Sequence, residues 1–173
     1  MVTPTLVDDR IQVSQAPSII FPPQDTEFVN ADYLVSFDLD QIISDLIKKN
    51  PQQFGHLASF EILSVWRKKG GKSKGRAIMG ACIKPSGLVT AYTAADYIVS
   101  VSADHVREYQ LQGRELESVV FEQLCKAGVD EKGNPILWDY DFQGFASQVR
   151  EYGLINQDLR LAATAFSQVK LDI

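Results

Sequence analysis

The chain has 173 residues, 45% of them hydrophobic and 23% charged, an ordinary composition for a soluble globular domain with one core. A net charge of −5 and a pI near 5.0 exclude a global basic footprint for nucleic acid, although a local basic patch is compatible with them. No apolar run approaches the ~20 residues of a membrane span; with two cysteines, Cys82 and Cys125, and no signal-peptide pattern at its start, the chain reads as a cytoplasmic, reduced protein without a disulfide.

Residues 1–31 carry Pro4, Pro17, Pro22 and Pro23 among short apolar pieces with no sustained period. Proline removes donors and biases its neighbours toward extended backbone. This stretch is expected to be an extended or partly disordered arm, with a partner-binding strand as the alternative, and 32–173 the domain proper. Segment 38–49 is the first clear helix, because Leu39, Ile42, Ile43, Leu46 and Ile47 share one face. Ser36 or Asp38 can cap it, and Pro51 stops it. His56 follows in a connector, where a structural role is expected.

The alternation in 60–66 predicts a strand. Then come Arg67, Lys68, Lys69, Lys72, Lys74 and Arg76, six cations in ten residues interleaved with glycine. The GGKS piece is no phosphate loop, since Trp66 stands where that motif needs its first glycine. The segment reads as a basic turn between strands, either a contact for nucleic-acid phosphates or a solvated edge that discourages strand pairing with other chains. A second strand is expected over 77–84, a short strand or loop over 88–92, and a strand buried on both faces over 96–102. A short helix over 104–110 carries His105, read as surface or capping.

Segment 114–128 predicts a deeply buried helix. Leu116, Val119, Val120 and Leu124 form its apolar stripe, Phe121 and Cys125 lie together beside it, and Gly128 is expected as its cap. A polar turn over 130–135 precedes Ile136–Leu137–Trp138. Phe142, Phe145, Val149 and Tyr152 mark a further helix, and Leu159, Ala163, Phe166 and Val169 a last one. The order predicts an α+β fold: a small sheet packed on a buried central helix, with further helices.

Several of these pieces, taken in order, resemble the phage metallopeptidase family, a zincin-like family of phages and mobile elements. They are KSKGRAIMGACIKPSGL at 72–88, DYIVSVSADHV at 96–106, RELESVVFEQLC at 114–125 and WDYDFQGFASQVREYGL at 138–154. The resemblance implies a compact zincin: a short sheet on an active-site helix of pattern H-E-L-x-H, with a later His–Asp pair supplying the third metal ligand. Here Phe121 takes the first His position, Glu122 keeps the Glu, Cys125 takes the second His position, and Tyr140–Asp141 matches the later pair.

A catalytic zinc site needs about three ligands from His, Cys, Asp or Glu. Phe121 has no lone pair, Tyr140 must ionise to bind, and Cys125 alone holds no metal. Without a metal to acidify water, Glu122 is a motif remnant with nothing to deprotonate. The leading expectation is therefore a catalytically inactive, zincin-like accessory or interaction protein with no cofactor and no metal. Its partner would be another protein, engaged through the N-terminal arm, the basic turn or both. Two alternatives stand beside it. One is a divergent zinc-dependent hydrolase whose altered site draws on Glu122, Cys125, Asp139, Tyr140, Asp141 and His105, with Cys125 and His105 as a nucleophile–base pair. The other is a nucleic-acid-binding module using 67–76.

Overall fold

A computed structural model describes residues 19–140, 146–153 and 160; readings that fall on 1–18, on 141–145 and on the last helix lie outside the described residues. The architecture is α+β. A four-stranded sheet has the order β1-β2-β6-β5, formed by β1 (Tyr33–Val35), β2 (Ile62–Arg67), β5 (Gly80–Ile83) and β6 (Tyr97–Ser102). β2 and β6 run parallel in the centre, pairing Ile62 with Tyr97 through Arg67 with Ser102, and both outer strands are antiparallel to their neighbours. The central position of β6 explains its sequence: Tyr97, Val99 and Val101 are fully buried, and Ser100 and Ser102 are buried as well.

Two helices cover one face. In α1 (Phe37–Lys49), Leu39, Ile43 and Leu46 are buried, the Ser36 hydroxyl accepts from Leu39 N at 3.1 Å, and Lys48 and Lys49 lie in the last turn. α4 (Arg114–Lys126) packs against α1 and across β5 and β6. The short α2 (Pro51–Phe54) begins with its proline at the first turn, where no amide is needed, and lowers Phe54 into the core. α3 (Ala103–Glu108) follows β6 directly, and α5 (Ala146–Tyr152) packs on α4.

Two expected elements are corrected, the strand over 77–84 and the Gly128 cap. The edge strand β1 has three residues, too few to show alternation in the sequence. The 88–92 stretch is a 3-10 turn, Gly87–Ala91. The expected strand over 77–84 is divided: β3 (Lys72–Ser73) and β4 (Arg76–Ala77) form their own hairpin, and β5 starts only at Gly80. Finally, α4 stops at Lys126, and Gly128 belongs to β7 (Ala127–Val129), which pairs with β8 (Pro135–Leu137). Gly128 is not a helix cap. Its missing side chain leaves room for the Trp138 indole, which lies where a Cβ would be. The intervening turn is held by the Asp130 carboxylate, which accepts from the amides of Lys132 and Asn134 at 2.8 Å each.

The described end of the N-terminal arm lies on the domain. A 3-10 turn, Asp25–Phe28, buries Phe28 completely. Arg107 reaches it from α3, donating to the Pro23 carbonyl and pairing with Asp25 at 2.6 Å, while Lys69 pairs with the same carboxylate at 2.8 Å. Gln112 donates to the Ile20 carbonyl at 2.9 Å.

Candidate functional site

The α4 helix carries the residues that the family pattern places around a metal, and packing divides them between two surroundings. Phe121 is buried. Its ring meets Phe54 of α2 edge-on at 4.9 Å between centroids and Tyr152 of α5 at 5.2 Å. Such T-shaped contacts favour aromatic pairs beyond the area they bury. Cys125, one turn on, is also buried, and its Sγ lies 3.3 Å from the Ser147 hydroxyl of α5. A polar seam continues along this helix pair: Gln148 donates to the Ser118 carbonyl and hydroxyl at 3.1 Å each, and the Tyr152 hydroxyl donates to Glu117 at 2.9 Å. Arg114 lies over the Tyr152 ring at 5.2 Å. Burial pushes the Tyr152 phenol upward, with Glu117 adding to the effect, so this tyrosine stays neutral.

Glu122 and Tyr140 form the second group. Glu122 is half-buried and accepts from the Tyr140 hydroxyl at 3.1 Å. The ammonium of Lys126 lies 4.6 Å above the Tyr140 ring and donates to Gln123 at 2.9 Å. Burial raises the Tyr140 phenol, and the neighbouring Glu122 charge raises it further. Burial draws Lys126 downward, and Glu122 opposes that shift. Tyr140 therefore meets α4 at Glu122, while Phe121 and Cys125 are held elsewhere on the helix. Phe121, Cys125 and Tyr140, the positions that the resemblance matches to ligands, thus have different partners.

The remaining candidates lie apart from these groups. Each of the chain's two histidines is engaged with a backbone carbonyl. His56 Nε2 lies 2.8 Å from the Ala127 oxygen, with its ring tilted against Trp138. His105, expected at the surface, is buried, with Nε2 2.7 Å from the Gly71 oxygen and Nδ1 3.4 Å from Glu108. His105 is thus directed to the basic hairpin and its own helix, and Cys125 to Ser147. Asp139 is exposed, and Asp141 lies outside the described residues. Neither Cys82 nor Cys125 is in a disulfide, and burial pushes Cys82 up to about 12.

Among the described residues the donor set does not fit a zinc ion. Phe121 offers no lone pair, Tyr140 keeps its proton, and each imidazole engages a backbone carbonyl through its Nε2. Among the described residues no three His, Cys, Asp or Glu side chains come together. A cavity of about 560 Å³ opens beside Phe121 and Ser147, with Lys49, Arg150 and Glu151 on its wall. Its lining offers charge and hydrogen bonds without an imidazole or thiol.

Sequence reasoning missed the residues that complete this arrangement, namely Phe54, Ser118, Ser147 and Gln148. Only Tyr152 carried a signal, as the apolar-phase residue that ends its helix. No helix among the described residues is long and apolar enough to cross a membrane. No curated protein and no solved structure matches the chain. The family model described as "Putative phage metallopeptidase" matches residues 31–165, more than three quarters of the chain, and on that match this chain belongs to the phage metallopeptidase family.

Proposed function

We propose that the chain is a zincin-like member of its family that has given up peptidase chemistry and serves a phage or mobile element as an accessory or interaction protein. The observation that carries this reading is the fate of the two motif positions on α4. Phe121 is wedged between Phe54 and Tyr152, and the Cys125 thiol is engaged with Ser147. The positions that would grip a metal are spent on joining α4 to its neighbours. Glu122, the residue that would act on metal-bound water, instead accepts a hydrogen bond from a neutral tyrosine.

The partner in this reading is another protein, met by the exposed residues of the N-terminal segment. Ile19 and Phe21 stay exposed there while Phe28 anchors the segment to the core. The alternative of an altered hydrolase draws no support from the geometry, because His105 is directed away from Cys125 and Tyr140 remains protonated.

Metal analysis of the purified protein tests the proposal. The expected result is well below one zinc per chain, with no cleavage of an unfolded protein substrate and no change on Glu122→Gln. About one zinc per chain, lost on Cys125→Ala or Asp141→Ala, would overturn it.

A further inference from the structure

The basic segment 67–76 takes a specific form in the folded protein. β3 and β4 are joined by a two-residue turn in which Lys74 and Gly75 both have positive φ, 48° and 79°. That backbone is the mirror-image turn whose twist matches a tight hairpin, and glycine at its second position adopts it without strain there. Lys72, Lys74 and Arg76 are exposed on the hairpin. Lys69 at its base is tied to Asp25, whereas Lys68, Lys72 and Lys74 have no ion pair among the described residues.

The root of the hairpin is fixed by buried groups. His105 reaches the Gly71 carbonyl, and the Asp104 carboxylate accepts from the Gly70 amide at 2.9 Å. The Ser102 hydroxyl donates to the Ile78 carbonyl at 2.6 Å, and the Ile78 amide to the Gly71 carbonyl at 3.2 Å. Gly70 is so enclosed that a Cβ would collide with His105, Ser102 and the Ile78 oxygen. All the side-chain contacts come from the end of β6 and the first turn of α3. A hairpin that merely had to be soluble would not need two buried polar side chains to hold its base.

Nor does its position fit a guard against strand pairing. The open edges of the sheet are β1 and β5. The hairpin leaves β2 after Arg67 and returns at Gly80, opposite Val101, so it passes over the end of β6. Lysines protect an edge by standing on it, and these stand elsewhere.

We propose that this hairpin is a preset binding element for the phosphodiester backbone of duplex nucleic acid, with Lys68, Lys72 and Lys74 as its phosphate contacts and His105 as the residue that positions it. A two-stranded ribbon fits a duplex groove. Ammonium groups held on a rigid turn neutralise phosphates and release condensed counterions without first losing backbone entropy. The acidic remainder of the chain keeps the contact local and weak, in the range of nonspecific binding, ~10⁻⁴–10⁻⁶ M at physiological salt. This inference goes beyond the proposed function and shares no test with it, since metal content decides one and salt-dependent binding the other.

The test is fluorescence anisotropy of the full chain with a labelled 20-bp DNA duplex of mixed sequence, titrated from low to physiological salt. A DNA single strand and a duplex RNA serve as further arms to show which backbone is preferred. The expected plot of log affinity against log salt has a slope of about −3, from three phosphates at about −0.9 each. Lys72→Gln with Lys74→Gln is expected to make that slope shallower by about 2. His105→Ala keeps every lysine, so it is expected to weaken binding severalfold with the slope unchanged, and His105→Gln, which retains a donor for Gly71, to restore it. Absence of duplex binding at low salt overturns the proposal, as does unchanged binding by the double lysine variant. Equal competition by polyglutamate also overturns it, since the surface would then select charge alone.

Discussion

At the scale of single residues, Phe121 decides how α4 is used. A benzyl group that touches Phe54 and Tyr152 edge-on joins three helices at one point. Phe121→Ala is expected to cost about 3–5 kcal/mol in urea-induced unfolding, the usual range for emptying a buried aromatic position. Phe121→Leu should recover most of that loss, because apolar volume rather than a polar contact is at stake. The sequence placed Phe121 and Cys125 correctly on one side of a buried helix, since spacing along a helix is local information. It did not reveal which residues face them, because Phe54 and Ser147 are far along the chain and bear no periodic relation to α4. Tyr140 shows the same limit: matched to a ligand position, it comes to rest on Glu122, a contact set by the path of the chain after β8.

At the scale of elements, the strands and helices with a strong period were legible and the short ones were not. α1, α4 and β6 announce themselves by long apolar phases. β1, β3 and β4 have only two or three residues, and β7 follows α4 without a break. The change from helix to strand at Ala127 is a tertiary effect. Trp138 packs over Gly128, the Tyr97 hydroxyl donates to the Gly128 carbonyl, and the Trp138 amide donates to Lys126 at 2.7 Å. Gly128→Ala must therefore displace an indole, although the backbone there suits any residue. The expected loss is about 1–3 kcal/mol, seen as a lower urea midpoint at constant m-value, with Trp138 fluorescence shifted in the folded state. An unchanged midpoint would show that the indole moves aside freely.

At the scale of the whole molecule, one carboxylate joins Phe28 and Gln112 in fastening the N-terminal segment. Asp25 accepts from Lys69 and Arg107, and the Lys69 contact above all holds its pKa below the ordinary 3.8. A group whose pKa is lower in the folded state contributes stability that is complete above the unfolded value and is lost as pH falls through the folded one. Protection of amides near Phe28 against hydrogen exchange should therefore hold down to about pH 4 and decline below it. In Asp25→Asn the protection should be lower and flat across that window. Equal pH dependence in both proteins would place the fastening elsewhere, on Phe28 and Gln112. The α+β class followed from element order and hydrophobic period; this attachment did not, because it depends on two cations from different elements meeting one aspartate.

The two buried thiols give the molecule a built-in record of its own opening. Cys125 is shielded by α5, whereas Cys82 lies within the sheet beneath α4 and burial lifts it to about 12. A thiol reagent modifies thiolate, so each cysteine reacts only while its cover is away. α5 is a seven-residue helix packed on α4, whereas β5 is paired along its length with β6, the most buried strand of the sheet. Under native conditions Cys125 is expected to be modified first, at a rate set by release of α5, and Cys82 only at the rate of global unfolding. Mass spectrometry of timed samples would resolve the two events and turn Cys125 into a clock for how firmly α4 and α5 are joined.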